Sequence, residues 1–289
     1  MKYSSTFLFT LAAIRTSHDV MATFTIAAAD RATGQIGASG SSCVDTSLYN
    51  VAYQSVPGHG LCMTQAMPPS NPKWDEGASF MSPVYGMIDS LLSSNTDPQM
   101  IIDVITDPSL DSETFMGLFD AVNLRQYGCV DLERRAAGYT GKDLDRLYYY
   151  LTFGAENVQE DAQGTHGDSI VYSAQGNIVS KTTVSTLSNT FESAEACDLV
   201  ERLYLSLAAV YEADAGLIGD IRCFNTNNAA GSSVFIHVEN SEGSEIIHIE
   251  NESPSAYIDP WSDFKSAYKQ WRSENPCSSV QEFNHAISY

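Results

Sequence analysis

Two pairs of helical apolar stripes, framed by blocks of strand-like sequence, constrain this chain more than any other feature. Val84, Met87, Ile88, Leu91 and Leu92 recur at i, i+3, i+4, i+7 and i+8, which places them on one helical face. Asp97 as N-cap and Pro98 at the first helical position open a second helix, with Ile101, Val104 and Ile105 facing inward and an end before Pro108. A later pair is marked by Val184, Leu187 and Phe191, then by Val200, Leu203, Leu207 and Tyr211, with Ser193 as its expected cap. Around them lie the strand candidates. Thr23 to Ser41 reads as a hairpin about Asp30-Arg31-Ala32-Thr33-Gly34, whose Asp and Gly supply turn chemistry. Val51 to Val56, Gly60 to Gln65, Arg125 to Asp131, Arg135 to Gly141, Ile170 to Tyr172, Ser233 to Val238 and Ile246 to Ile249 follow. Lys142 to Gly167 reads as a surface insertion. An order of strands, two helices, strands, two helices, strands builds a layered α+β sandwich with helices grouped on the outer faces of sheets.

Composition bounds what such a sandwich can do. With 289 residues and 43% hydrophobic content, the chain can bury one large core. Its 15 basic and 36 acidic residues give a formal charge of -21, which repels phosphate backbones and anionic lipid, so neither nucleic acid nor membrane is an expected partner. Six cysteines contain no C-x-x-C pair, hence no zinc or redox motif. Spacing leaves all of their ~15 pairings open. Cys43 and Cys62 read as core thiols or a disulfide rather than as nucleophiles. His59, His166, His237 and His248 show no metal-ligand spacing, and no phosphate loop or EF-hand loop is present, so no metal and no cofactor are expected.

The N-terminus carries a different signal. Lys2, the apolar stretch Phe7 to Ile14 and the small-residue exit Val20-Met21-Ala22 read as a secretory leader, too short to span a bilayer. Met21 as the true start is the competing reading, and it would expose Ala22. Cleavage after Ala22 would free Thr23, giving one residue both a hydroxyl nucleophile and an α-amine whose pKa of ~7.7 to 8.0 suits it as a base. The location expected on that reading is secreted or periplasmic.

A collinear series of motifs resembles the Ntn-hydrolase-like family named domain of unknown function 1028 (DUF1028). The series runs from Thr23-Phe24-Thr25-Ile26-Ala27-Ala28-Ala29-Asp30 and Thr33-Gly34-Gln35-Ile36-Gly37 through Thr64-Gln65-Ala66 to Arg125-Gln126-Tyr127-Gly128-Cys129-Val130-Asp131. Thr140-Gly141, Tyr172-Ser173-Ala174-Gln175-Gly176-Asn177-Ile178 and Gly219-Asp220-Ile221-Arg222 continue it, with Ser232 and Ser233 at its end. Ser42-Cys43, Cys223 and the extra loop Phe224 to Gly231 depart from the family pattern. The resemblance implies a four-layer αββα sandwich of the N-terminal-nucleophile hydrolase type, divided here as a leader (1–22), the sandwich (23–250) and a polar, aromatic tail with a short helix (251–289).

Roles follow from that implication. Thr23 would attack an amide carbonyl, with Asn177 and then Gln65 as the oxyanion donors and Asp30 orienting the amine or the pocket. Arg222 would hold a substrate carboxylate, and Asp220, Gln175 and Gly176 would line the substrate site. No lysine lies between Lys2 and Lys73, so an early lysine cannot assist. Each residue also has a plain structural reading. Thr23 suits a strand, Asp30 a turn, Gln175-Gly176-Asn177 a tight turn before a helix, and Asp220 with Arg222 an ion pair. Two function classes therefore stand together: a secreted amidohydrolase acting on a small amide, peptide or acylated metabolite, and an inactive exported scaffold for binding or assembly. The expected partners are a small-molecule or peptide substrate and, at most, further copies of the chain. A Thr23 side chain packed away from solvent would argue for the architecture alone.

Overall fold

Antiparallel pairing organises every ladder in the computed structural model, which describes residues 23–43, 46–73, 81–115, 117, 119–151, 156–213, 219–221, 223, 230–252 and 260–277. The fold is mixed α/β. The hairpin β1 (Thr23–Asp30) and β2 (Gln35–Ser42) forms as its turn chemistry predicts, with Gly34 at φ 70, a backbone conformation that glycine reaches without steric cost. β1 and β2 lie at the centre of a six-stranded sheet of order β12-β11-β2-β1-β10-β9. Its other strands are β9 (Val158–His166), β10 (Ile170–Val179), β11 (Ser233–Glu239) and β12 (Glu245–Glu252). A four-stranded sheet of order β3-β4-β7-β8 contains β3 (Tyr53–Val56), β4 (Gly60–Ala66), β7 (Arg125–Asp131) and β8 (Ala136–Thr140). A small hairpin of β5 (Thr114–Phe115) and β6 (Phe119–Asp120) stands apart.

Alternation along the strands explains the layering. On β1, Phe24, Ile26 and Ala28 turn outward into a core built with α5 (Thr183–Ser193), α6 (Leu199–Tyr211) and α7 (Trp261–Glu274). Ala27 and Ala29 turn the other way and meet Leu61, Met63 and Val130 of the smaller sheet, joined by Leu48 and Val51 of α1 (Leu48–Ala52). The outer face of the smaller sheet, including Cys62, Tyr127 and Cys129, is covered by α2 (Pro83–Ser93) and α3 (Pro98–Ile105). α3 starts as expected, with Asp97 as N-cap and Pro98 in the first turn, and α2 starts in the same way at Ser82 and Pro83, a start the sequence reading did not name. A separate cluster gathers Leu144, Leu147 and Tyr148 of α4 (Leu144–Leu151) under Ala66, Met67 and Ile178.

Four sequence expectations are corrected here. Residues 142–167 are not a surface insertion, because they supply α4 and the edge strand β9, whose polar sequence hides its strand character. Gln175-Gly176-Asn177 is not a turn before a helix, since all three lie inside β10. α6 is capped by Asp198, which accepts from Glu201 N at 2.8 Å, rather than by Ser193. The helix within 251–289 packs into the main core through Trp261, Phe264 and Tyr268 instead of trailing from it. All six cysteines are paired, as Cys43–Cys223, Cys62–Cys129 and Cys197–Cys277. No helix of the described residues is long and apolar enough to cross a membrane.

Candidate functional site

The space between the sheets is apolar at one end and polar at the other. Toward the Asp30 end of β1 it is filled by alanines, Leu61, Met63, Val130 and Phe235. Toward the Thr23 end the same inward positions carry Thr23, Thr25, Gln65, Gln126, Gln175 and Asn177, every one of them fully buried. Six buried polar side chains at one end of a core cost stability unless they satisfy one another.

Gln126 is the hub that satisfies most of them. Its Oε1 accepts from Gln65 Nε2 at 2.6 Å and from Asn177 Nδ2 at 3.3 Å. Its Nε2 donates to Thr140 Oγ1 (2.9 Å), Glu160 O (3.0 Å) and Gly176 O (3.1 Å), tying both sheets together. Thr25 Oγ1 donates to Gln65 Oε1 at 2.7 Å and lies 3.4 Å from Gln175 Oε1. Gln175 in turn donates through Nε2 to Ser173 Oγ at 2.5 Å. Gly128 makes this arrangement possible, because a Cβ there would overlap the Gln175 amide.

Thr23 sits at the far end of this array. It pairs with Ser42 on one side and Asn177 on the other, and its Oγ1 lies 3.1 Å from Ser42 Oγ. Asn177 Nδ2 points back at Thr23 O, at 3.5 Å. Asn177 Oδ1 is buried with no hydrogen-bond partner among the described residues. Asp220 joins the same end: it is fully buried, bridges to Val179 and accepts from Cys43 N at 2.8 Å. The Cys43–Cys223 disulfide holds that segment beside Ser42.

Thr23, Gln65, Gln175, Gly176, Asn177 and Asp220 are thus brought together, and Asp30 is not. It ends β1 seven residues from Thr23, roughly 23 Å away at strand rise. There it accepts from Ala32 N at 3.0 Å and Thr33 Oγ1 at 2.8 Å, so it is a turn residue and cannot orient an amine at position 23. Arg222 and the leader 1–22 lie outside the described residues.

Residues given no role in the sequence reading complete the site. Ser42 and Gln126 reach it through strand pairing, which no local pattern reveals. Ala66 and Ile178, each following a site amide, have left-handed backbones at φ 71 and φ 52. For a β-branched residue that conformation stores strain of about 1–3 kcal/mol, and Ile178 takes it up at a bulge where Asn177 and Val179 skip a register position. Arg125 braces this end from below. Its buried guanidinium contacts Asp111 (3.0 Å), Glu113 (2.8 Å) and Met67 O. Burial favours loss of the Arg125 proton, but Tyr127 and the Asp111 and Glu113 carboxylates outweigh it and raise its pKa.

Chemically, this end brings together the hydroxyls of Thr23, Thr25 and Ser42, neutral amide donors and the buried Asp220 carboxylate. Asn177 Nδ2 is the freer donor, since its contacts are long, whereas Gln65 Nε2 is committed to Gln126. Thr23 itself has no exposed surface.

Among known proteins, no family model matches this sequence and no curated protein matches it. Among solved structures, the fold is similar to the crystal structure of protein SPO2555 from Silicibacter pomeroyi, described by the family model DUF1028, with a TM-score of 0.58 and 15% identity over 87% of this chain and 86% of that one. At that identity the likeness concerns architecture, so this chain shares the fold of a DUF1028 protein.

Proposed function

We propose that this chain is an exported amidohydrolase precursor of the N-terminal-nucleophile type, with the four-layer αββα sandwich of that class, and that Thr23 becomes its nucleophile once residues 1–22 are removed. The observation that carries the reading is the unpartnered, buried Asn177 Oδ1 on the residue directly across from Thr23. A buried acceptor left unpaired costs about 1–3 kcal/mol, and a freed α-amine at Thr23 is a donor able to relieve it. Held there, the amine takes the Thr23 hydroxyl proton as Oγ1 attacks a carbonyl carbon. The proton then passes to the departing amine, and water hydrolyses the resulting ester. Asn177 Nδ2 serves as oxyanion donor. The substrate is a small amide, peptide or acylated metabolite. Export is supported by the three disulfides, which persist in oxidising compartments.

A second reading, an inactive scaffold, is favoured by the full burial of Thr23 and by the way Gln65, Gln126 and Thr25 satisfy one another. Intact mass of the exported protein separates the two. The enzyme reading expects a chain beginning at Thr23 that an acylating probe labels once, with labelling abolished by Thr23→Ala while circular dichroism is unchanged. A mature chain beginning at Met1 or Ala22, or labelling that survives Thr23→Ala, would establish the scaffold instead.

A further inference from the structure

Histidines that show no ligand spacing along the sequence meet across a strand pair. His237 on β11 stands directly opposite His248 on β12, and their Nδ1 atoms are 3.3 Å apart. Four-coordinate binding of a metal at about 2.05 Å from each nitrogen requires an N···N separation of about 3.3 Å.

A third donor arrives through a bulge. Glu245 lies three residues before His248, so in a regular strand the two would face opposite sides of the sheet. The ladder runs His237↔His248 and Val238↔Ile247 but then Glu239↔Glu245, leaving Ile246 unpaired. That extra residue turns Glu245 to the histidine side. Its Oε2 lies 4.0 Å from His237 Nδ1, on a side chain 59% exposed and free to close the remaining gap. The three donor atoms all fall within 4.8 Å of one another.

The surroundings hold the imidazoles in place and carry negative charge. Tyr49 packs against both rings, at 4.8 and 4.6 Å between centroids, and Tyr53 packs against His237 at 5.0 Å. Glu239 is engaged by Tyr53 and Ser55, and Glu250 by Ser47 and Tyr49 N, so both carboxylates are fixed nearby without occupying the histidine nitrogens.

We propose that His237, His248 and Glu245 form a binding site for a divalent transition metal of the zinc class, with a fourth position open to water. Two imidazoles and one carboxylate suit zinc, cobalt or nickel better than calcium or magnesium, which prefer oxygen donors alone. Binding through both Nδ1 atoms requires each neutral ring to carry its single proton on Nε2, so the ring that donates through Nδ1 in the metal-free contact moves that proton to its own Nε2 by exchange with solvent. The site is separate from the Thr23 end: Thr23 reaches β11 through Ser42 and Ser233, four residues along the strand from His237.

Cobalt(II) chloride added to tag-free, chelator-stripped full-length protein tests this. The wild type should take up one equivalent, develop the intense visible absorption of four-coordinate cobalt and lose it to added zinc. His248→Ala, at an exposed position, should remove that absorption, and Glu245→Gln should weaken binding by about tenfold or more. Zinc should raise the melting temperature of the wild type and leave that of His248→Ala unchanged. No absorption in the wild type, or the same absorption in His248→Ala, would overturn the site.

Discussion

The buried amide of Gln126 concentrates more of this fold's specificity than any charged group near Thr23. Five polar atoms from both sheets converge on it, and replacing it takes that partner from three of them, on Gln65, Asn177 and Gly176, in a fully buried region. Gln126→Ala should therefore lower unfolding free energy by about 3 kcal/mol or more, measured by urea denaturation, with the fold retained at low denaturant. Gln126→Glu gives a sharper check. A carboxylate cannot donate to the Glu160 and Gly176 carbonyls, but the neutral acid can, so this variant should gain stability relative to wild type as pH falls from 7 to 5. A loss under about 1 kcal/mol in Gln126→Ala would show that water replaces the amide and that the polar end is open. Thr23, Gln65 and Asn177 were legible in the sequence through their motif context. Gln126 lay in the same motifs, but its role depends on β7 facing β10 across the sandwich, a relation with no local signature.

At the scale of elements, the link between α6 and α7 shows how one carboxylate serves two purposes. Asp198 caps α6 through Glu201 N and also forms a two-pronged ion pair with Arg272 of α7, at 2.7 and 2.8 Å. Burial alone would raise the Asp198 carboxyl, yet the Arg272 guanidinium and the Glu201 and Val200 amides outweigh it and hold its pKa below the usual carboxylate value. The unfolded chain therefore takes up this proton first as pH falls, and the stabilisation present above about pH 4 is lost below it. Asp198→Asn keeps a capping oxygen but not the charge, so its melting temperature should be lower than wild type at pH 7 and the gap should close as pH falls below the usual carboxylate range. Parallel profiles would refute the coupling. Helices α2, α3, α5 and α6 were readable because apolar stripes and caps are local. α1 spans a single turn, and β9 carries VQEDAQGTH at a sheet edge, so neither offers a hydrophobic period to read.

For the whole molecule, cross-linking supplies what linear spacing could not disclose. Cys62 meets Cys129 only because β4 and β7 pair in one register, and Cys43 meets Cys223 only because β2 ends beside the Asp220 segment. The Cys43–Cys223 link spans 180 residues, against 67 for Cys62–Cys129 and 80 for Cys197–Cys277. Closing so long a loop restricts the unfolded chain by about 5 kcal/mol on the chain-entropy argument. It also keeps Asp220 on the Cys43 amide, at the end of the sandwich where Thr23 lies. The double variant Cys43→Ala with Cys223→Ala should therefore unfold at markedly lower urea than the oxidised wild type, and the Cys43 amide should exchange its hydrogen faster than neighbouring β2 amides. Both effects are needed. Lower stability with an unchanged Cys43 amide would mean that the bridge acts on the unfolded chain alone and that the Asp220 segment holds its place without it, through the Val179 bridge and the Ala230 carbonyl.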